Sequence, residues 1–285
     1  MRKLKIAIQK SGRLREESLK LLKQSGISVD NGQDQLKTCA TNFPLEIYYL
    51  RNSDIYQYLI DGVVDIAILG ENTLYENGSN LPVVCKLGFS KCRVSMAVPK
   101  EVKVEGVSYF EGKQIATSYP KTLEKFLSSN EISASIHKIS GSVEIAPNIG
   151  LADAIMDIVS SGNTLFKNGL KESTVVLESE AVLVKGDKLD ADLVALIDQL
   201  NFRINAVLGA KQSRYVLMNV PNDKIDAISQ LLPVLKSPTI MPLAMEGWSS
   251  LHTVISENEF WPVIDGLKAQ GAEGILVLPI EKIIL

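Results

Sequence analysis

A run of small polar residues, Ser160-Ser-Gly-Asn-Thr164, follows an apolar stretch of the chain. A phosphate group needs several hydrogen-bond donors converging on one point, and such a run supplies hydroxyls and backbone N–H groups. Its glycine lets the backbone approach a ligand closely, and a helix predicted to begin near Thr164 adds its positive N-terminal end. The run predicts either a phosphate-binding turn or an ordinary helix cap, built from Ser160, Ser161, Gly162, Asn163 and Thr164.

Two carboxylates precede this turn. Asp153 and Asp157 are four residues apart on a predicted strand, so their side chains are expected on the same face. Carboxylates at such a place accept hydrogen bonds from sugar hydroxyls or meet a magnesium ion carried by a pyrophosphate. The pair therefore predicts a site for a phosphorylated sugar.

Basic residues occupy two other strand-to-helix junctions. Lys10 and Arg13 lie with Ser11 and Gly12 between the first predicted strand and the first predicted helix, and Arg51 follows a later strand. Such positions suit anionic ligands. A solvated loop remains the alternative for the first junction, and an ion pair or helix cap for the second.

The first 210 residues alternate between predicted strands and helices, which indicates an α/β fold with mainly parallel sheets. The strands are predicted at Leu4–Ile8, Leu45–Leu50, Asp65–Leu69, Val94–Val98 and Gln114–Thr117, and the helices at Arg13–Gln24, Asp54–Asp61 and Leu123–Ser128, with Asp54 as an N-cap.

One pattern occurs twice in this region. Gly62-Val-Val-Asp65 and Gly150-Leu-Ala-Asp153 each lead through an apolar strand to a turn rich in Gly, Asn and Thr. The repetition predicts two similar lobes that face a shared cleft.

The C-terminal part has a different order of elements. Strands are predicted at Tyr215–Val220, Thr239–Leu243, Leu251–Ser256 and Gly274–Leu278, and helices at Asp223–Leu235 and Phe260–Gln270. The order β-α-β-β-α-β is that of a ferredoxin-like module.

The amino-acid composition argues against several classes of function. The net charge of −3 gives no general attraction to nucleic acid or an anionic membrane, and two histidines leave little for zinc or histidine-based catalysis. Three widely spaced cysteines, the short apolar run near the N-terminus and the absence of a long apolar stretch predict a soluble cytoplasmic protein.

The chain resembles the long form of the ATP phosphoribosyltransferase family nearly from end to end. The resemblance is carried by these blocks, in this order: Ile8-Gln-Lys-Ser-Gly-Arg-Leu14, Asp61-Gly-Val-Val-Asp65, Leu69-Gly-Glu-Asn72, Gly88-Phe-Ser-Lys-Cys-Arg93, Ile115-Ala-Thr-Ser-Tyr-Pro120, Gly141-Ser-Val-Glu144, Gly150-Leu-Ala-Asp-Ala-Ile155, Ser160-Ser-Gly-Asn-Thr-Leu165, Ser237-Pro-Thr-Ile240 and Leu278-Pro-Ile-Glu-Lys282. Ser161 stands where the family usually has Thr, and Tyr56 where it usually has Pro.

The resemblance implies a two-lobed catalytic body like a periplasmic binding protein, followed by a regulatory domain. It implies transfer of the phosphoribosyl group of phosphoribosyl pyrophosphate to N1 of ATP, with Mg2+, inhibition by histidine, and a homo-oligomer between dimer and hexamer. The expected lobes are residues 1–93 with 180–210 and residues 94–179, and the expected regulatory domain is 211–285.

The resemblance also assigns roles to residues. The 160–164 turn is expected to hold the 5′-phosphate, and Glu144, Asp153 or Asp157 the ribose hydroxyls. Phosphates of ATP or pyrophosphate are expected to bind Lys10, Arg13 and Arg51. The nucleotide is expected to lie near Gly70, Glu71 and Asn72, and the effector histidine is expected to contact Thr239.

Two alternatives remain open. A two-lobed cleft without a catalytic histidine is also typical of a small-molecule binding module that performs no catalysis. A phosphoribosyltransferase that accepts a different base is the other reading.

Overall fold

A computed structural model describes residues 2–29, 36–233 and 237–284. Its strands are β1 (Leu4–Gln9), β2 (Lys37–Cys39), β3 (Leu45–Leu50), β4 (Ile66–Gly70), β5 (Val83–Lys86), β6 (Cys92–Pro99), β7 (Gln114–Thr117), β8 (Ser135–Lys138), β9 (Ala154–Val159), β10 (Leu170–Ser179), β11 (Ala181–Lys185), β12 (Ser213–Pro221), β13 (Thr239–Pro242), β14 (Trp248–Ser256) and β15 (Glu273–Pro279). Its helices are α1 (Arg13–Gln24), α2 (Asn52–Ile60), α3 (Glu71–Asn77), α4 (Pro120–Ser129), α5 (Asn163–Lys167), α6 (Ala191–Lys211), α7 (Ile225–Leu231) and α8 (Glu257–Ala269).

The chain forms two compact units, one of Met1–Lys20 with Ile27–Ile197 and one of Leu21–Gly26 with Asp198–Leu285. The first unit contains two sheets. One has the strand order β2-β3-β1-β4-β11-β5, in which β3, β1 and β4 are parallel and β11 is antiparallel to β4. Its central strands are buried along most of their length, which explains why their sequences are almost continuously apolar.

The second sheet of this unit has the order β10-β6-β9-β7-β8, with β9, β7 and β8 parallel. Apolar side chains pack on both of its faces: one cluster includes Met96 and Phe110, the other Ile155 and Val159. The two sheets are the two lobes that the repeated sequence pattern predicts.

The repetition extends to single hydrogen bonds. Asp65 accepts a hydrogen bond from the backbone N–H of Lys5 at 2.8 Å, and Asp153 accepts one from that of Gln114 at 2.9 Å. Each aspartate therefore joins the start of its own strand to the start of the parallel neighbour.

The second unit contains the antiparallel sheet β13-β14-β12-β15, with α7 and α8 between its strands in the chain. The element order and the strand order are those of the predicted ferredoxin-like module. Its core includes Val216, Leu251 and Leu267.

Several predicted helix bounds differ from the structure: α4 begins at Pro120 rather than Leu123, and α8 begins at Glu257 rather than Phe260. Asp54 is not an N-cap but lies in the first turn of α2, whose N-cap is Arg51 without a side-chain capping bond. The helix predicted at Asp223–Leu235 begins later, at Ile225, after a 3-10 turn at Asn222–Lys224, and it ends at Leu231. Leu235 lies outside the described residues.

Among the described residues, α6 alone has the length and apolar composition of a membrane-crossing helix. It also carries charges, including Asp198 and Arg203, and its buried residues recur every three or four positions, at Leu193, Ile197, Leu200, Ile204 and Val207. That spacing is typical of an amphipathic helix packed against protein.

Candidate functional site

The polar run after β9 forms a turn beside a cavity. β9 ends at Val159, α5 begins at Asn163, and the residues from Ser160 to Leu165 line a cavity of ≈ 170 Å³. Gly162 lies at φ +78°, a backbone conformation that favours glycine, and it is the N-cap of α5. Leu165 is buried, so it anchors the start of the helix while the hydroxyls of Ser160, Ser161 and Thr164 stay exposed.

Two carboxylates line the same cavity. Asp157 comes from β9, and Glu144 comes from the 3-10 turn Val143–Ile145, which the buried side chain of Val143 holds in place. Burial raises the pKa of Asp157 above its ordinary value, and the nearby charge of Glu144 raises it further. The arrangement thus sets two acidic side chains against a turn of hydroxyls and amides.

Asp153 is not part of this arrangement. It precedes β9 at the end opposite the turn, roughly 13 Å along the strand from Asp157 at the usual rise per residue. Its carboxylate accepts the hydrogen bond from Gln114 described above. The cavity therefore brings together Glu144 and Asp157 with the turn, and leaves Asp153 outside.

The predicted cations meet at the carboxyl edge of the first sheet. Lys10 follows β1 and Arg51 follows β3, and the Lys10 N–H donates to Leu50 at 2.7 Å, because these parallel strands end side by side. Arg13 opens α1 and lies 3.8 Å from Glu17 through its Nε. The Lys10 and Arg51 side chains are exposed and form no ion pair with any described residue.

The three residues predicted near a nucleotide are in different surroundings. Asn72 is buried, and its side chain and backbone N–H both hydrogen-bond the Ser179 hydroxyl at 3.0 Å. A Cβ at Gly70 would lie 2.3 Å from the Asn72 side-chain oxygen, so only glycine fits there. Glu71 is half-buried and pairs with Lys86 at 3.2 Å.

A second, larger cavity of ≈ 440 Å³ adjoins the turn. Its lining is rich in charge and consists of Glu71, Lys86, Lys91, Cys92, Arg93, Ser160, Glu178, Ser179 and Glu180. Ser160 belongs to both cavities. A ligand group held by the turn would therefore lie next to whatever fills the larger cavity.

Arg93 is the functional candidate that the sequence reasoning missed. Its Nη1 donates to the backbone oxygen of Ser160 at 3.2 Å, and its other nitrogens bind Glu172. Arg93 stands in one of the sequence blocks that carry the family resemblance, and that block was the available signal. Its partner Glu172 lies in none of those sequence blocks. Because 79 residues separate Glu172 from Arg93 in the chain, their pairing could not be read from local sequence.

The second unit carries Thr239 as its predicted effector contact. Thr239 is exposed at the start of β13 and pairs in register with His252 on β14. The His252 ring is held by the hydroxyls of Tyr215 and Ser250, each at 2.9 Å. This histidine is thus part of a hydrogen-bonded group on the sheet.

The part of the chain that the structure describes contains no cluster of three or more metal-ligating side chains. A magnesium ion that arrives with a substrate needs only one or two carboxylates in addition to phosphate oxygens. The neighbouring Asp157 and Glu144 fit that requirement, since the charge of Glu144 disfavours the ionised form of Asp157 and a bound cation would offset that effect.

Comparison with known proteins assigns both parts of the chain. The family model described as ATP phosphoribosyltransferase matches residues 51–206, and the model described as HisG, C-terminal domain matches residues 210–282. The chain is 56% identical to the ATP phosphoribosyltransferase of Cytophaga hutchinsonii over 281 residues, covering 99% of this chain and 98% of that protein. It is 51% identical to that of Bacteroides fragilis over 282 residues, covering 99% and 100%.

Solved structures agree on the fold. A chain of the ATP phosphoribosyl transferase (HisG:HisZ) complex from Thermotoga maritima superposes with a TM-score of 0.60 at 27% identity, covering 71% of this chain and 98% of that one. A histidine kinase sensor domain similar to periplasmic binding proteins gives 0.51 at 9% identity, covering 73% and 91%, a likeness of fold alone.

The Thermotoga maritima chain is matched almost completely while more than a quarter of this chain lies outside the match, and the C-terminal family model matches residues 210–282. A two-lobed α/β body and an added ferredoxin-like domain are the architecture of the long form. The chain therefore belongs to the ATP phosphoribosyltransferase family.

Proposed function

We propose that this chain transfers the 5-phosphoribosyl group of phosphoribosyl pyrophosphate to N1 of ATP and releases pyrophosphate, the first step of histidine biosynthesis. The observation that carries the proposal is the pair of cavities that share Ser160. The smaller one suits a phosphorylated sugar and the larger one suits the groups that react with it.

The turn from Ser160 to Thr164 binds the 5′-phosphate. Its hydroxyls are exposed to the cavity, and the first N–H groups of a helix have no partner within the helix. With only five residues, α5 contributes these local donors more than a helix dipole. Ser161 keeps a hydroxyl where the family usually has Thr, so the donor set is complete.

The carboxylates of Glu144 and Asp157 bind the ribose hydroxyls. Both carboxylates line the small cavity, and both accept hydrogen bonds when ionised. Asp153 lies outside the cavity, so ribose binding is assigned to Glu144 and Asp157 alone.

The cations at the carboxyl edge of the first sheet bind the phosphates of ATP and the leaving pyrophosphate. Lys10 and Arg51 follow strands that end at that edge, and Arg13 opens the helix that begins there. Open α/β sheets bind their ligands at this edge. Glu71, in the larger cavity, remains the candidate for a nucleotide contact. Gly70 and Asn72 support it by fixing the start of α3.

The reaction requires little covalent chemistry from the protein. Negative charge gathers on the leaving pyrophosphate while positive charge develops at the ribose carbon, so positioning and electrostatic stabilisation supply most of the acceleration. The cations hold the pyrophosphate, and the carboxylates hold the ribose. Asp157 and Glu144 would hold Mg2+, and the ion would supply further neutralisation of the leaving group.

The C-terminal unit is the regulatory domain and binds histidine, with Thr239 as a contact. Thr239 is exposed beside the His252 group, on a face open to a small ligand. Binding there acts by population shift, since a ligand that favours one arrangement of the protein lowers the population of the other. We further propose a cytoplasmic homo-oligomer, between dimer and hexamer.

The sheets support the following proposed domain boundaries. Residues 1–93 with 180–210 make the lobe of β1–β5 and β11, residues 94–179 make the lobe of β6–β10, and residues 211–285 make the regulatory domain. The strand β6 crosses the first boundary, because it begins at Cys92.

The test compares the wild-type protein with Thr164→Ala. We expect the wild type to release pyrophosphate only when ATP and phosphoribosyl pyrophosphate are both present with magnesium. Removing the Thr164 hydroxyl should raise the KM for phosphoribosyl pyrophosphate about tenfold, because a hydrogen bond to a charged group is lost.

A matched control is Thr73→Ala in α3. The carbonyl oxygens of Thr73 and Thr164 each accept a hydrogen bond from the Asn four residues later, at 2.8 and 2.9 Å. Thr73→Ala should leave this KM unchanged. An unchanged KM in Thr164→Ala, with the protein folded, would remove the phosphate from the turn.

A further inference from the structure

The guanidinium of Arg93 joins three strands of the second sheet at the start of the phosphate-binding turn. Its Nε and Nη2 donate to the two carboxylate oxygens of Glu172 at 2.5 Å, and its Nη1 donates to the backbone oxygen of Ser160 at 3.2 Å. Arg93 lies on β6, between β9 and β10, so it reaches both neighbouring strands. All three of its donor nitrogens are thus engaged within the protein.

Glu172 also accepts a hydrogen bond from Ser95, on the oxygen that binds Arg93 Nε. The buried hydroxyl of Ser95 donates to Glu172 Oε1 at 2.7 Å, and Ser95 stands two residues after Arg93 on the same face of β6. The bidentate geometry fixes the plane of the guanidinium, which a single contact would leave free to rotate. The direction of Nη1 toward Ser160 is therefore set by Glu172.

The charges of the pair are matched. The hydrogen bond from Arg93 lowers the pKa of Glu172 below its ordinary value, and the same bond raises the pKa of Arg93. Both side chains are partly buried, with 34% and 24% of their surfaces exposed. Arg93 therefore differs from Lys10 and Arg51, whose charges have no internal partner among the described residues.

We propose that Glu172 is a positioning residue for the phosphate-binding turn, acting through Arg93. The bidentate pair holds the carbonyl of Ser160, the residue shared by the two cavities, and so fixes the direction in which the chain leaves β9 and enters the turn. The hydrogen-bond donors from Ser161 onward are then already in position for the 5′-phosphate, so binding does not have to order the turn. The inference rests on the proposed function, because it assumes that the turn binds the phosphate of the sugar.

The decisive variant is Glu172→Gln, which keeps the shape and removes the charge that fixes Arg93. We expect the affinity for ribose 5-phosphate, measured by titration calorimetry, to fall about tenfold, the typical loss of a charge-assisted hydrogen bond. The KM for phosphoribosyl pyrophosphate should rise by a similar factor, while the KM for ATP changes less than about threefold.

Glu46→Gln is the matched control. Glu46 pairs with Lys37 at 3.0 Å on the first sheet, is 17% exposed, and also has a lowered pKa because of its bond to the cation. It should lose similar thermal stability and leave sugar phosphate binding unchanged. Ser95→Ala, which removes one of the bonds to Glu172, should weaken ribose 5-phosphate binding by a smaller factor, about two- to threefold.

The outcomes separate this inference from the proposed reaction. Unchanged or tighter ribose 5-phosphate binding in folded Glu172→Gln would overturn the positioning role, and tighter binding would mean that the released Arg93 contacts the phosphate itself. A wild-type protein that binds ribose 5-phosphate but never releases pyrophosphate would instead overturn the reaction. The comparison of Glu172 with Glu46 would still stand in that case.

Discussion

At the scale of single residues, the proposed site includes two carboxylates that line one cavity. Asp157 is partly buried and faces the charge of Glu144, and both effects oppose its ionisation. A protonated Asp157 donates one of its hydrogen bonds and loses its charge, so it serves the ribose and the magnesium less well. The ionised form is therefore the one expected to support the reaction.

Replacing Glu144 by Gln removes one cause of the raised pKa. The pKa of Asp157 should then fall toward its ordinary value, so the rising limb of kcat/KM against pH should move to lower pH. The measurement is that profile for the wild type and the variant under the same magnesium and substrate conditions, so that the titration of the substrates cancels. A lower overall rate is expected if Glu144 contacts the ribose as proposed, but only the position of the limb decides whether Asp157 governs it. A limb that stays in place would mean that Asp157 does not govern it.

Residue types and spacing predicted the turn from Ser160 to Thr164, since the local sequence alone determines a strand, a glycine turn and a helix start. They could not place Asp153. Strand periodicity gives the face on which a side chain lies, but not which end of the strand faces the ligand. The Arg93–Glu172 pair was hidden for a related reason, because pairing between β6 and β10 is a property of the fold.

At the scale of elements, helices α3 and α4 bind each other's ends. Glu76 of α3 accepts hydrogen bonds from the N–H groups of Lys121 and Thr122 and from the Thr122 hydroxyl, at 2.7 to 3.1 Å. Lys125 of α4 donates to the Tyr75 carbonyl near the end of α3 at 3.1 Å. The carboxylate lies at the positive end of one helix and the ammonium at the negative end of the other, as the helix dipole favours. The contact joins the two lobes, because α3 packs on the first sheet and α4 on the second.

Glu76→Gln should lower the free energy of unfolding by about 1–2 kcal/mol, the usual effect of losing a helix cap. The residue that precedes α4, Tyr119, makes no side-chain capping bond of its own, so nothing replaces Glu76. Chemical denaturation measures the change. Glu124→Gln on the exposed side of α4 is the control, with an effect within about 0.5 kcal/mol. Equal stabilities of the two variants would contradict the capping role.

Elements with strong periodicity were predicted with the right bounds, as α1 and β3 illustrate. α7 was predicted too long at its start because the 3-10 turn at Asn222–Lys224 carries residues that also suit a helix N-terminus. The start of α2 was misplaced for the opposite reason: its N-cap, Arg51, has no side-chain oxygen to mark it.

At the scale of the whole molecule, the proposed site takes residues from two similar lobes. The first contributes exposed cations at its strand ends, and the second contributes the phosphate turn with its carboxylates. The larger cavity is lined by residues of both, such as Lys86 and Ser160. The described residues that line these two cavities belong to the two lobes, and histidine binding is proposed for the ferredoxin-like unit.

The most direct test of the account is the ultraviolet absorbance of N1-substituted adenine when the purified protein is mixed with ATP, phosphoribosyl pyrophosphate, magnesium and pyrophosphatase. We predict a rise that requires both substrates and that added histidine suppresses. A rise that ignores histidine would contradict the role of the C-terminal unit. No rise, from folded protein that still binds a nucleotide, would contradict the central claim and indicate a binding module without catalysis.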